Sequence, residues 1–193
     1  LSPQNPDVIY AAIELDRRKG GVYKSENKGG SWKKMSDAVA GGTGPHYYQE
    51  LYASPHHENE IYLADNYMQV SYDGGKTFVR MNESEKHVDN HAVAFKKSDP
   101  NYILVGCDGG LYESFDRTKN WKFIDNLPLT QFYKIAVDDA EPFYHVYGGT
   151  QDNNTQGAPS RTDNIHGIRN SDWYIVLGGD GHQPATEPGN PNI

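Results

Sequence analysis

Apolar residues along the chain come in short runs, many alternating with polar ones, and each run is closed off by glycine, proline, asparagine or aspartate. A period of two with frequent breakers predicts many short strands rather than helices. One set of four strands is expected over 92–96, 102–106, 110–114 and 121–124. A matching set is expected over 47–53, 60–64, 68–72 and 77–81, and a further set begins with 132–137 and 143–148. Near the start, the earliest strand expected is one around 8–13, read as the second member of a set whose first member is missing. After Gly179 one more first strand is expected, although Pro184 and Pro188 work against ordered pairing there.

Two phrases recur along this pattern. The first has the form Ser-x-Asp-x-Gly-x-x-aromatic and is complete in Ser71, Asp73, Gly75 and Phe78. Ser25, Asn27, Gly29 and Trp32 form a copy with Asn for Asp, and Ser114, Asp116, Thr118 and Trp121 form one with Thr for Gly. The serines are 46 and 43 residues apart. The second phrase is a proline-bearing polar turn followed by a strand: Ser2-Pro3 to Tyr10, Ser54-Pro55 to Tyr62, and Ser98-Asp99-Pro100 to Leu104. A period of about 45 residues with four strands per unit predicts an all-β fold, a β-propeller of about four four-stranded blades. The expected blades are 1–44 without its inner strand, 45–86, 87–127, 128–177 with a long insertion at 159–171, and the start of a fifth over 178–193.

The boxes carry turn chemistry first. The Asp73 carboxylate is placed to accept backbone N–H bonds across a tight turn, Ser71 to cap it, Gly75 to take positive φ, and Phe78 to pack on the next sheet. Asn27 keeps the acceptor oxygen, whereas Thr118 is expected to strain or reshape its turn.

Composition narrows the function. Lys+Arg 18 against Asp+Glu 26 gives a net charge of −8, which repels nucleic acid and anionic membranes. No apolar run approaches the roughly 18 residues of a membrane span. One cysteine, Cys107, excludes an internal disulfide and a thiolate zinc cluster. The opening Leu1-Ser2-Pro3, without Met, reads as a piece of a longer chain. Neither a P-loop nor a Gly-x-Ser-x-Gly elbow is present.

The boxes, together with Asp89-Asn90-His91-Ala92, Gly109-Gly110-Leu111-Tyr112 and Gly148-Gly149-Thr150-Gln151-Asp152-Asn153, resemble the Asp-box (BNR) repeat propellers. The sequence is most similar to the sortilin-like (Vps10-type) and xyloglucanase-like groups. That resemblance implies a secreted, periplasmic or otherwise extracellular protein and a fragment of a seven- to ten-bladed ring. The remaining blades, or another chain, would meet its open edge. Sialidase activity is disfavoured, because Arg17, Arg18, Arg80, Arg117, Arg161 and Arg169 are scattered.

Because the boxes join the third strand to the fourth, the entries to first strands and the second-to-third turns fall at the opposite ends of the sheets. Those ends carry the candidate catalytic residues Asp89, Asp152 and Asp180 and the candidate ligand-binding residues His91, Gln131, Tyr133, His182, Tyr47 and Tyr48. Asp89-x-His91 and Asp180-x-His182 repeat at an offset of 91. Three chemistries remain open there: a carbohydrate or protein recognition surface with tyrosine stacking faces, a glycoside hydrolase carboxyl pair, and a site for Ca²⁺ or another divalent cation. No other cofactor is indicated. Asp65 and Asp108 read more simply as turn caps.

Overall fold

The structure is a computed structural model, described here for residues 1–16, 19–40, 50–127 and 129–192. Its described residues form strands, turns and one 3-10 turn at Asn170–Asp172. They divide into two compact units, Leu1–Asp125 and Asn126–Ile193. The first unit holds three antiparallel sheets. One is three-stranded, β1 (Ile9–Asp16), β2 (Lys19–Ser25) and β3 (Lys33–Ser36). The second contains β4 (Leu51–Ala53), β5 (Ile61–Leu63), β6 (Gln69–Ser71) and β7 (Val79–Arg80). The third contains β8 (Asn90–Phe95), β9 (Ile103–Cys107), β10 (Gly110–Ser114) and β11 (Lys122–Phe123). The second unit is one sheet of β12 (Lys134–Val137), β13 (His145–Gly149), β14 (Thr155–Pro159) and β15 (Tyr174–Leu177). Strands run in chain order across every sheet, the meander of propeller blades.

In the first unit the sheets bury their faces on one another. Tyr62, Met68, Val70 and Met81 of the second sheet pack with Val93, Ile103, Val105 and Trp121 of the third. Each such side chain stabilises the fold by about 1.5–3 kcal/mol. Ile61, Tyr62 and Leu63 of β5 are all buried, so a central strand covered on both faces loses the alternation seen elsewhere. The Tyr62 hydroxyl finds an acceptor in Glu60 at 2.7 Å, and burial followed by that carboxylate pushes its pKa up.

The Asp-boxes form the expected turns. Asp73 Oδ1 accepts the N–H of Lys76 and Thr77 at 3.0 and 2.9 Å, and Ser71 Oγ accepts that of Gly75 at 2.8 Å. Asn27 Oδ1 accepts from Ser31 N at 2.8 Å, so the amide does replace the carboxylate. Asp116 Oδ1 likewise takes Lys119 N and Asn120 N at 3.1 and 3.0 Å. Thr118 does not reshape its turn; it accepts strain instead. Arg117 and Thr118 sit at φ 56° and 71°, where the complete box has Gly74 and Gly75 at 75° and 91°. Left-handed backbone at a β-branched residue costs about 1–3 kcal/mol.

The two repeated phrases meet in space. Lys28 N donates to Asp7 O, Gly74 N to Asn59 O and Arg117 N to Asn101 O, at 2.9, 2.8 and 3.0 Å. Each box is thereby pinned to the polar turn that precedes the strand before the one it closes. Trp121 then inserts its ring between sheets and donates Nε1–H to Asn82 O at 2.7 Å. Trp32, at the same position of the first sheet, stays 46% exposed.

The second unit has no box, as the sequence indicates, and the connection from β14 to β15 runs over 160–173. It keeps an aromatic residue before its outer strand, Trp173, which stacks on Phe132 with ring centroids 6.0 Å apart. Asp138 does the turn's work here. Its buried carboxylate accepts His145 N–H at 2.6 Å, His145 Nδ1–H at 2.9 Å and the Tyr147 hydroxyl at 2.9 Å. The strand expected after Gly179 does not form. Residues 178–192 hold no strand beyond an isolated bridge between Glu187 and Asn190, and Thr186 Oγ1 donates to Val137 O at 2.8 Å. Pro184 and Pro188 lack the N–H groups a ladder needs.

Replacing Asp73 with Ala orphans two backbone donors and should cost about 1–2 kcal/mol, measurable as a lower denaturation midpoint of the first unit. Acid should act through the same acceptors. The Thr77 N–H foremost holds Asp73 at about 2, and the Asn120 N–H foremost holds Asp116 at about 2. Burial raises Asp138, but the donors from His145, Ala140 and Tyr147 outweigh it and hold it at about 2 as well. All three lie below the ordinary 3.8, so their contribution is complete above about pH 4 and is lost as pH falls toward 2. A circular-dichroism acid titration should show unfolding in that window, shifted to higher pH when a box Asp is removed.

Candidate functional site

Strand register sorts the polar residues of the first unit by sheet end. Asn90, Cys107 and Gly110 are paired at one end of the third sheet, and Phe95, Ile103 and Ser114 at the other. Ser114 opens the Asp-box turn, so Asp89, His91 and Asp108 lie at the end away from the box. The second sheet follows the same rule, with Asp65 beyond the Leu63–Gln69 pair and Asp73 beyond the Ile61–Ser71 pair.

At that end the side chains are tied together. His91 Nε2 lies 2.7 Å from Asp108 Oδ1. Asp89 has φ 61°, a left-handed conformation that Asp tolerates better than most residues. Its N–H donates to Asn66 O at 2.8 Å, its carboxylate accepts the Asn66 side-chain amide, and its own carbonyl accepts Asp108 N–H at 3.2 Å. A carboxylate oxygen of Asp89 and one of Asp108 lie within 4.8 Å of each other. Two carboxylates this close offer oxygen donors that suit a divalent cation, and His91 orients one of them. Tyr52 closes one side, its hydroxyl bonded to the Glu50 carboxylate and reaching His91 O at 3.1 Å. Burial first, then Glu50, pushes Tyr52 up to about 12.

Beneath this rim is a network that sequence reasoning missed. Lys86 is fully buried, 2.8 Å from Glu83 and in contact with Asn90. Asn90 donates to Asp65 O, Asn66 O and Glu83 Oε1 at 3.1, 3.1 and 2.9 Å. This network fixes the Asp65–Asn66 turn against the Asp89 entry and so holds the rim rigid. The only sequence signal for it was the Glu83-x-x-Lys86 spacing. Asp65 accepts Asn66 N–H at 2.7 Å and the Gln69 side-chain amide at 3.1 Å within its own turn, whereas Asp108 orients His91.

In the second unit, Lys134, Gly149 and Thr155 mark the corresponding sheet end. The Asp180 carboxylate accepts the N–H of Asp152 at 3.1 Å. Tyr133 packs on His182, ring centroids 5.1 Å apart, and bonds Gln151. Gly149 must be glycine, because a Cβ there would meet the His182 backbone at 2.5 Å. Gln131 is exposed two residues before Tyr133. The structure therefore joins Asp89 and His91 with Asp108 in the first unit, and Asp152 with Asp180 and Tyr133 with His182 in the second. Tyr47 and Tyr48 fall outside the described residues.

The four-stranded meanders, the box turns and the polar sheet ends agree with a family match. Residues 20–166 match the Sortilin-Vps10 model, described as sortilin, neurotensin receptor 3. The chain belongs to the Sortilin-Vps10 family. Solved structures resemble it in fold. An ancestral GH74 enzyme is 18% identical over 97% of this chain and 23% of its own length, with a TM-score of 0.50. The GH74 xyloglucanase from Xanthomonas campestris is 15% identical over 94% and 31%, with a TM-score of 0.54. The Niastella koreensis GH74 enzyme is 15% identical over 92% and 29%, also at 0.54. The chain thus spans between 23% and 31% of these relatives' lengths. No curated protein sequence matches it. Among the described residues no helix is long and apolar enough to cross a membrane.

The left-handed backbone at Asp89 sets a local requirement. Asp89→Val places a β-branched residue there and removes the acceptor for Asn66, and should cost at least about 1–2 kcal/mol in a urea titration. Asp89→Asn tolerates the same φ and should unfold close to wild type.

Proposed function

We propose that the chain is an extracytoplasmic recognition or scaffold segment of a larger Asp-box propeller. Its ligand, a carbohydrate or a protein, meets the sheet ends away from the boxes. The observation that supports this most directly is the His91–Asp108 pair at 2.7 Å beside Asp89. These polar side chains are held by a buried network yet sit on a loop rim, and oriented polar groups on a rigid base are what recognition requires. The Asp89 and Asp108 carboxylates are also the oxygen ligands that would hold a divalent cation such as Ca²⁺, with His91 orienting Asp108. Such an ion would offset the two carboxylate charges and leave coordination positions for ligand hydroxyls.

A second reading, part of a glycoside hydrolase, draws on the second unit, where Asp180 reaches the backbone of Asp152 at 3.1 Å. Hydrolysis needs two carboxyls roughly 5–9.5 Å apart on either side of the scissile bond, one of them protonated. The GH74 relatives make xyloglucan oligosaccharides the first saccharides to test.

Calorimetry with a xyloglucan heptasaccharide, with and without Ca²⁺, should show binding that Asp89→Asn and His91→Gln weaken by about tenfold, or roughly 1.4 kcal/mol. Both variants should melt within about 2 °C of wild type. Unfolding of either variant would reduce the rim to a structural cap. Release of reducing sugar that Asp180→Asn abolishes would establish the hydrolase reading instead.

A further inference from the structure

A groove of about 780 Å³ lies between the second and third sheets of the first unit, from the third sheet's Asp-box turn to Arg80 and Asn82 of the second. Its box end, Tyr72, Phe115 and Asp116 to Lys119, lies away from Asp89, and the groove runs along the second sheet's outer strand to Arg80, which pairs with Gln69 toward the rim; it does not depend on the function proposed for that rim. A companion groove of about 670 Å³ lies between the first and second sheets. The two are built from corresponding positions. Tyr72, Val79, Asp116 and Lys119 line the first where Glu26, Lys33, Asp73 and Lys76 line the second. The repeat therefore builds the groove, and the side chains that differ between copies give each one its chemistry.

In the larger groove those side chains have three properties. Tyr72, Phe115 and Val79 are 55%, 58% and 54% exposed, so aromatic surface stands open to a ligand even though Phe115 also meets Tyr102 edge to face at 5.2 Å. The lining carries three cations, Arg80, Arg117 and Lys119, on a chain whose net charge is −8. Its one carboxylate already has partners. Asp116 takes the N–H of Lys119 and Asn120 and the side chains of Asn120 and Ser114. Glu60, behind Arg117, takes both the Arg117 guanidinium and the Tyr62 hydroxyl. Arg117 is held in place by Glu60 and lies 5.9 Å from the Tyr72 ring, while Arg80 stacks 4.0 Å over Tyr67. The floor keeps its left-handed Arg117 and Thr118 where the neighbouring box uses two glycines, and strain of this kind concentrates at ligand clamps.

We infer that this groove binds an anionic saccharide, whose sugar rings stack on Tyr72 and Phe115 and whose carboxylate or sulfate groups meet Arg80, Arg117 and Lys119. Three cations beside a single, already bonded carboxylate suit a ligand rich in acceptor oxygens. An extended peptide fits it less well, because each residue also brings an N–H that would need an acceptor.

The 193-residue chain is titrated calorimetrically with trigalacturonate, a sulfated neocarratetraose, cellotetraose and an acidic hexapeptide. One of the two anionic saccharides should bind about tenfold or more tighter than cellotetraose, and its affinity should fall as salt rises. The first two titrants separate carboxylate from sulfate recognition. Tyr72→Ala and Arg80→Gln should each weaken binding by about tenfold at an unchanged melting temperature, as expected of exposed contact residues. Trp32→Ala, in the companion groove, should leave it as it was. The inference is overturned if neither anionic saccharide binds at millimolar concentration, if cellotetraose or the peptide binds as tightly, or if Arg80→Gln binds like wild type.

Discussion

Side-chain oxygens that take the place of backbone carbonyls hold the sheet ends of the first unit. Ser25, Ser71 and Ser114 each accept the N–H four residues on, at 2.9, 2.8 and 2.8 Å, and the Asn or Asp two places later accepts further donors. A turn between the third and fourth strands of a blade has no ladder partner for those N–H groups, and leaving them unmet would cost more than any single contact in the turn returns. Once closed, the turn presents its own N–H to the polar turn ahead of the strand before it. That places the aromatic residue ahead of the outer strand so that it can enter the seam between sheets. Trp121 makes the full connection, from Asp116 and Ser114 through Asn82 to the core around Val70 and Ile103.

The second unit reaches a comparable result by another route. Without a box, it anchors the turn between its first two strands with Asp138, which gathers two backbone and two side-chain donors from Ala140, His145 and Tyr147. Its strands are less covered: Ile135, Val137, Ile175 and Leu177 are all more than half exposed. A blade normally buries both faces on its neighbours, so such exposure suits a sheet that is part of a larger ring.

The polar rim and the box turns occupy opposite sheet ends for a reason of topology. In a meander, alternate turns fall at alternate ends, so structural turns with fixed chemistry leave the other ends open to vary. The buried Lys86–Glu83–Asn90 network supports the variable end from below. Burying a charge is tolerable only when it is paired and hydrogen-bonded, as Lys86 is.

Local chemistry could be read from the chain alone. The Ser71 and Asp73 acceptors lie two to four residues from their donors, so spacing alone determines the turn. The strand pattern and the repeat of about 45 residues then imply a propeller. Contacts between distant residues could not be read in this way. His91 and Asp108 are separated by 17 positions and Arg117 and Glu60 by 57, and only register and sheet packing bring them together. The repeat at an offset of 91 suggested that Asp180 and His182 would open a strand as Asp89 and His91 do. The tertiary structure decided otherwise, because prolines cannot donate to a ladder and the segment is instead held by Asp152, Asn154 and Val137. Thr118 shows the converse: its local preference opposes a left-handed turn, and the Ser114 acceptor together with the docking of Arg117 N–H on Asn101 holds it there.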